Sequence, residues 1–560
     1  MPQYLAVPVW RRTWHAPAVL LAAACTSVGP GPAAPGGLAV AESLFGDLRE
    51  VRDRYEVTAA SGRTESPEGV ALAELIAHHD SLRERVATRL EALDAASLDR
   101  EDGRALATMR QAVRRDLRPL APAGQAAAAS SAPDCAYDPA APGAVETLRE
   151  RLYACYGWAQ SHVVVHGDTL DRLTILGLLG LTGDPERRRH LFLALEPVWR
   201  TLNGNNEPGS PYRRLITLEV KSRQGAESTA AAQARLSAVP PDSLEPWLVA
   251  ILEAWRDAAP PEPVEPWDWY YQIGATARAL ASRIPRERLV PLTAAVYRAL
   301  GADPDSLGVR YELEPRAGKT PVAFCTFGRR GRFREGAWTA GEPWVFATYR
   351  TGGLDNLSEL LHETGHAAHI AAIRTRPAFA DWPDSDPFTE ALAEFVSLDV
   401  YEPAWQQYWL GDSVPLADGL RARYGGIVMD VAWAVFELRM LREPAADPDQ
   451  LWTGLTRDYL RIKPHPEHSW WAMRGQLVDS PGYMVNYAVG AILIAAIRAR
   501  TRELHGPFVP GDTSWYGWVA PRLFRFGLER PAREVIETFL GEPVSPAALL
   551  HDLRRLGGAS

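Results

Sequence analysis

Apolar residues recur three and four positions apart on a charged background in LAELIAHHDSLRERVATRLEALDAASL, and this spacing extends over about 41–120. Such a period places the apolar positions on one face of a helix, which predicts an N-terminal helical region over 41–120. APAGQAAAASSAPDC (121–135) has no period, and its Ala, Ser and Pro content reads as a low-complexity exposed loop. Helical spacing resumes at AVETLRERLYACYGWAQ and continues, broken by Pro-rich joints, to about residue 300. The pattern then changes once. PVAFCTFGRRGRFREGAWTAGEPWVFATYR (321–350) has β-branched and aromatic segments separated by Gly-rich turns, predicting a small antiparallel sheet. Helical patterns dominate from there to the C-terminus, and no fixed-period repeat is present. The expected fold class is mainly α, with 136–560 as one large helical domain and the small sheet just before HETGHAAH (His362–His369).

The N-terminus follows a different pattern. Arg11 and Arg12 precede a short apolar run, Ala16–Ala24, which ends in small residues before Cys25. The run is too short to span a bilayer as a helix, and its order of basic, apolar and small residues predicts a signal peptide over 1–25. LAAAC also resembles a bacterial lipoprotein signal, in which the Cys carries lipid and becomes the mature N-terminus; Ala22 stands where that motif prefers Leu. Plain secretion is the alternative. The Pro- and Gly-rich 26–40 reads as a flexible tether. An exported protein follows, on the membrane surface, in the periplasm or secreted, touching membrane only through a lipid on Cys25. Of the four Cys, the other three allow two readings: a Cys135–Cys155 disulfide, or three buried free thiols. No CxxC pair is present, so a cysteine zinc site is excluded.

Composition narrows the function classes further. With 46% hydrophobic and 23% charged residues and a formal charge of -9, the chain lacks the basic surplus of nucleic-acid binders. It has no GxxxxGK[ST] loop, no GxGxxG after a strand and no GxSxG elbow. The 19 Trp are expected to pack between helices.

His362-Glu363-Thr364-Gly365-His366 fits HExxH, whose two His share a helical face and can converge on one cation. Composition alone would produce this pattern in roughly two of every hundred such chains. Gly365 weakens a helix by ~1 kcal/mol relative to Ala, which suits a site of close packing. His369 lies seven residues beyond His362, a rise of roughly 10 Å, too far to join both imidazoles on one ion. DSDPFTEALAEFVSLDVYE supplies the next helix, with Asp386 as expected N-cap, Pro387 at its first position, and Glu390 and Glu394 facing the same way. One glutamate would bind the metal and the other would fix the tautomer of a ligand His. Spacing does not rank them.

HETGHAAH resembles the HEFGHALH-type helix of the thimet oligopeptidase family, and FTEALAEFVSLDVYEP resembles the third-ligand helix of the angiotensin-converting-enzyme (peptidyl-dipeptidase A) family. Both are gluzincin metallopeptidases. PWDWYY (266–271), GDPERRRHLFLALEPVWRTLNG and HSWWAMRGQLVDSPGYMVNYAVG are weaker echoes of the same families. The resemblance is strong over roughly 340–400, diffuse over about 150–500 and absent from the first 120 residues. It implies an elongated, two-lobed helical peptidase with a deep cleft and a catalytic core at about 320–500. It also implies Zn2+ on His362, His366 and Glu390, with Glu394 behind them. Glu363 would be the general base, and Tyr487, or second Tyr483, the oxyanion donor. The upstream His of the pattern is missing: His465 and His468 lie too far away, and Val478 and Asp479 stand nearer. The strand EPWVFATYR would pair with substrate backbone.

Short peptides are the implied substrates, cut by a peptidyl-dipeptidase or an oligopeptidase; no GxMEN-type aminopeptidase segment is present. The competing expectations are a surface-anchored peptide-binding protein with little catalysis, and a structural zinc, which would need a fourth protein ligand.

Overall fold

Three helices, Gly37–Ala60, Leu72–Glu91 and Arg100–Arg115, build an N-terminal module around their own apolar core. In the second of them Leu75, Leu82, Val86 and Leu90 point inward at helical spacing. Asp99 caps the third by accepting from the Asp102 N–H. The computed structural model describes residues 37–120, 132–137 and 144–558 apart from 224, 317, 321 and 335. The expected signal peptide, Cys25 and most of the expected tether and loop therefore lie outside the described residues. The first helix begins inside the stretch expected as tether.

A second, much larger core runs from Val145 to Leu556 and is almost wholly helical. Trp269, Trp405, Trp433, Trp452, Trp471 and Trp515 are fully buried, and Trp433 stacks on Trp452 at 4.9 Å, so these indoles pack between helices. Cys135 and Cys155 are joined as a disulfide, while Cys325 is a buried free thiol. Among the described residues no helix is long and apolar enough to cross a membrane.

The sheet beside HETGH is mixed. Glu342–Phe346 is its central strand, antiparallel to Phe324–Arg329 on one side and parallel to Arg310–Glu312 on the other. Arg332–Arg334 and Ala337–Thr339 form a separate antiparallel hairpin. The three-residue strand Arg310–Glu312 is too short to show a period. A further hairpin, Val163–Val165 with Asp168–Leu170, lies within the stretch read as helical. It turns through His166 and Gly167, both at positive φ, and the adjacent Val run and His-Gly dipeptide were its signal.

Candidate metal centre

The helix Leu354–Ala372 carries HETGH and is buried along most of its length. His362 and His366 stand one turn apart with their rings edge-on, centroids 4.7 Å apart. The helix Asp386–Ser397 packs across it. Its cap is Ser385, one residue earlier than expected: the Ser385 hydroxyl accepts from the Phe388 N–H and meets the Ser237 hydroxyl at 2.8 Å. Asp386 is thus the first helical residue and Pro387 the second. The two helices approach so closely that a Cβ on Gly365 would stand 2.4 Å from the Ala393 carbonyl oxygen.

This crossing brings His362, His366 and Glu390 together. Glu390 Oε2 lies 3.5 Å from His362 Nε2 and 3.9 Å from His366 Nε2. Two ligand atoms on one tetrahedral zinc at its usual bond lengths are roughly 3.3 Å apart. The two Glu390–imidazole separations exceed this by tenths of an ångström, and all three ligand atoms lie within 4.8 Å of one another, a grouping that one metal ion can draw together. Glu394 sits on the opposite side of the first imidazole, its Oε1 3.1 Å from His362 Nδ1, and takes the Ser397 hydroxyl on its other oxygen. A carboxylate accepting from Nδ1–H fixes the tautomer in which Nε2 carries the lone pair, the form that binds a cation. Burial drives both ligand-position imidazoles down to about 3, hence neutral, and pushes Glu394 up to about 7 against its Ser397 bond. His366 has no counterpart to Glu394: its Nδ1 is buried without a hydrogen-bond partner among the described residues.

Glu363 is buried beside this group, its Oε2 without a hydrogen-bond partner among the described residues, and burial, then the nearby carboxyls of Glu359 and Glu390, raises its pKa well above the ordinary range. His369 is fully buried against Trp382 and Phe524, outside the ligand group, and neither ring nitrogen has a hydrogen-bond partner among the described residues.

Tyr483 and Tyr487 project from the start of the helix Val485–Leu504 and from the turn before it, with ring centroids 5.7 Å apart. Both are buried, and the charge of Glu390 helps hold both hydroxyls protonated. The Tyr487 hydroxyl accepts from Gln476 Nε2 at 3.3 Å. His465 is occupied elsewhere, bonded to Glu265 and Glu467 at 2.9 and 2.8 Å and stacked with His468.

Three features lay beyond the sequence reading. Arg474 stands over the Tyr487 and Trp433 rings and pairs with buried Asp430, while its Nε and Nη1 have no partner among the described residues. Its only sequence signal was its place in HSWWAMRGQLVDSPGYMVNY. Glu359, one turn before Glu363, is half-buried, and desolvation raises it to about 7. The third concerns the strand expected to take substrate. Glu342–Phe346 is flanked on both sides, so it has no free backbone edge; the outer strands are Arg310–Glu312 and Phe324–Arg329. Both outer strands reach HETGH: the Tyr311 hydroxyl meets the Thr364 hydroxyl at 3.1 Å, and Phe324–Arg329 carries Cys325, whose thiol is raised first by burial and then by the charge of Glu363.

No protein-family model matches the chain, and no curated protein matches it in sequence. Solved structures do match. The M32 carboxypeptidase from Deinococcus radiodurans R1 is 16% identical with a TM-score of 0.53, over 94% of this chain and 99% of that one. A structure described as that of CHT is 14% identical with a TM-score of 0.53, over 93% of this chain and 99% of its own. At such identities the likeness is one of fold, and it extends over nearly the whole length of both proteins.

Proposed function

We propose that this chain is a zinc-dependent peptidase acting on short peptides. The observation that carries the reading is the convergence of His362 Nε2, His366 Nε2 and one Glu390 oxygen, with Glu363 buried beside them and its Oε2 without a hydrogen-bond partner among the described residues. Two neutral imidazoles and one carboxylate suit zinc and leave the site net positive. Bound there, zinc would supply a Lewis acid for water and for the scissile carbonyl. Glu363 takes the proton of the attacking water and delivers it to the leaving amine. Glu394 keeps His362 in the tautomer that presents Nε2. Tyr487, with Tyr483 behind it, donates its hydroxyl to the developing oxyanion. An extended peptide adds along Phe324–Arg329, where main-chain bonds give affinity with little sequence preference. Export, with a lipid on Cys25, places the enzyme outside the cytoplasm.

The family resemblance gives two modes of cleavage, removal of C-terminal dipeptides or internal cutting, and the name of the D. radiodurans neighbour adds a third, removal of a single C-terminal residue. Buried Arg474, with donors to spare beside Tyr487, favours the exopeptidase modes, because a terminal carboxylate would pair with it. A mixed peptide library incubated with the protein and read by mass spectrometry tests activity and mode together. Wild type is expected to cleave, and Glu363→Gln to lose at least ~100-fold in kcat/KM while still holding zinc. Zinc-loaded wild type that leaves every peptide intact would sink the hydrolase reading and leave a binding protein.

A further inference from the structure

Between the two helices of the metal centre the chain runs through 373–385, and this segment carries Trp382. Its indole meets the rings of His366 at 5.4 Å and His369 at 5.5 Å, both nearly edge-on. His362 is oriented by a carboxylate, whereas His366 Nδ1 has no hydrogen-bond partner among the described residues. The orientation of the second imidazole therefore depends on packing, and Trp382 supplies it.

The main body ties the segment at several points: the Arg374 N–H bonds the Arg525 carbonyl, Leu528 N–H the Phe379 carbonyl, and Ala532 N–H the Asp384 carboxylate. Most of its charged and apolar anchors, however, come from the N-terminal module. Glu42 takes Nε and Nη2 of Arg376 at 2.8 and 2.7 Å and the Ala378 N–H at 3.0 Å, and Asp102 takes Nη1 at 2.7 Å. Ala378 and Phe379 complete the module's own apolar core. A second set of contacts reaches Trp382 from the side. Arg49 pairs with Asp381 at 2.9 Å, and Arg330 bridges Asp381 and Asp53 at 3.0 Å each. Arg330 lies 3.8 Å over the Phe327 ring, and Phe327 meets Trp382 at 5.2 Å. Removing one partner from such a buried set strands the others without compensation, so the module holds one docked position.

We propose that the N-terminal module is a positioning device for the metal centre: Glu42, Asp102, Arg49 and Asp53 hold 373–385 so that Trp382 fixes His366. This rests on the metal reading above, and the test separates the two. Zinc release from the full chain into a chromophoric chelator is followed for wild type, Arg376→Ala, Trp382→Leu and Val86→Ala. Val86 lies in the core of the second helix, which packs chiefly on the other two helices of the module, so Val86→Ala serves as the control for general loosening. Release is expected to speed by about 10–100-fold in Arg376→Ala and Trp382→Leu, the usual effect of losing an outer-shell contact, and to stay at the wild-type rate in Val86→Ala. Folded Arg376→Ala that releases zinc at the wild-type rate overturns the proposal, as does equal acceleration by Val86→Ala. If Arg376→Ala does not fold, Asp102→Ala, which removes one of the same contacts from the module's side, decides in its place by the same criterion. A wild type that takes up no zinc overturns the metal reading, and this one with it.

Discussion

A methyl group at position 365 has no room. Alanine would favour the helix by ~1 kcal/mol, but its Cβ would stand 2.4 Å from the Ala393 oxygen and 2.9 Å from the Ala393 Cα. Overpacking of that kind costs ~1–3 kcal/mol, so the clash wins. Gly365→Ala is expected to lower the melting temperature and the zinc content, since Ala393 lies between Glu390 and Glu394; unchanged values would refute this. Glu437 makes a second residue-scale prediction. It is fully buried, accepts from the Met484 N–H at 2.9 Å just before the tyrosine helix, and burial pushes its pKa up to about 8. The native state then holds a proton that the unfolded chain releases near its ordinary value. Stability from this group is full below about 4.5 and is lost as pH rises towards about 8, by at most ~1.4 kcal/mol per unit. Glu437→Gln should remove that slope in urea midpoints taken from pH 5 to 8, and parallel curves for the two proteins would rule it out.

At the scale of elements, helices were legible because their period repeats within a few residues, whereas caps and strand order depend on neighbours. Asp386 and Ser385 are both good caps by type; the position of the Ser237 hydroxyl, bonded to Ser385, goes with the second. Ser385→Ala is expected to cost ~1 kcal/mol, read as a fall in the denaturation midpoint, and no fall would return the cap to Asp386. The sheet shows the same limit. Alternation located strands within 321–350, but a three-residue partner at Arg310–Glu312 made Glu342–Phe346 central and left Arg310–Glu312 and Phe324–Arg329 as the outer strands. Pairing partners are not encoded in the strand that receives them.

Across the whole molecule, the contacts that matter most join distant parts of the chain. Cys135 and Cys155 close a loop with a sequence separation of 20, a constraint worth about 3 kcal/mol through the unfolded state. Reductant, or Cys135→Ala with Cys155→Ala, should lower the urea midpoint correspondingly, and an unchanged midpoint would count against the bond. The docking of the N-terminal module is longer in range, with Arg49–Asp381 and Glu42–Arg376 separated by 332 and 334 positions. The helical period of 41–120 showed an amphipathic module; it carried no sign of where the module's charged face would land.

The sequence by itself determined what lies within a turn or two of its own residues: the helical content, the shared face of His362 and His366, and a glutamate helix following them. Those features depend on backbone period and residue type alone. The tertiary structure decided the rest. Glu390 and Glu394 are equivalent by spacing, four residues apart on one face, and only the crossing of two helices over Gly365 put one beside Nε2 and the other beside Nδ1 of the same imidazole. Which strands lie at the sheet edge follows from pairing between segments a few tens of residues apart, and which distant helices hold Trp382 against His366 follows from contacts spanning 332 and 334 positions; no local pattern records either.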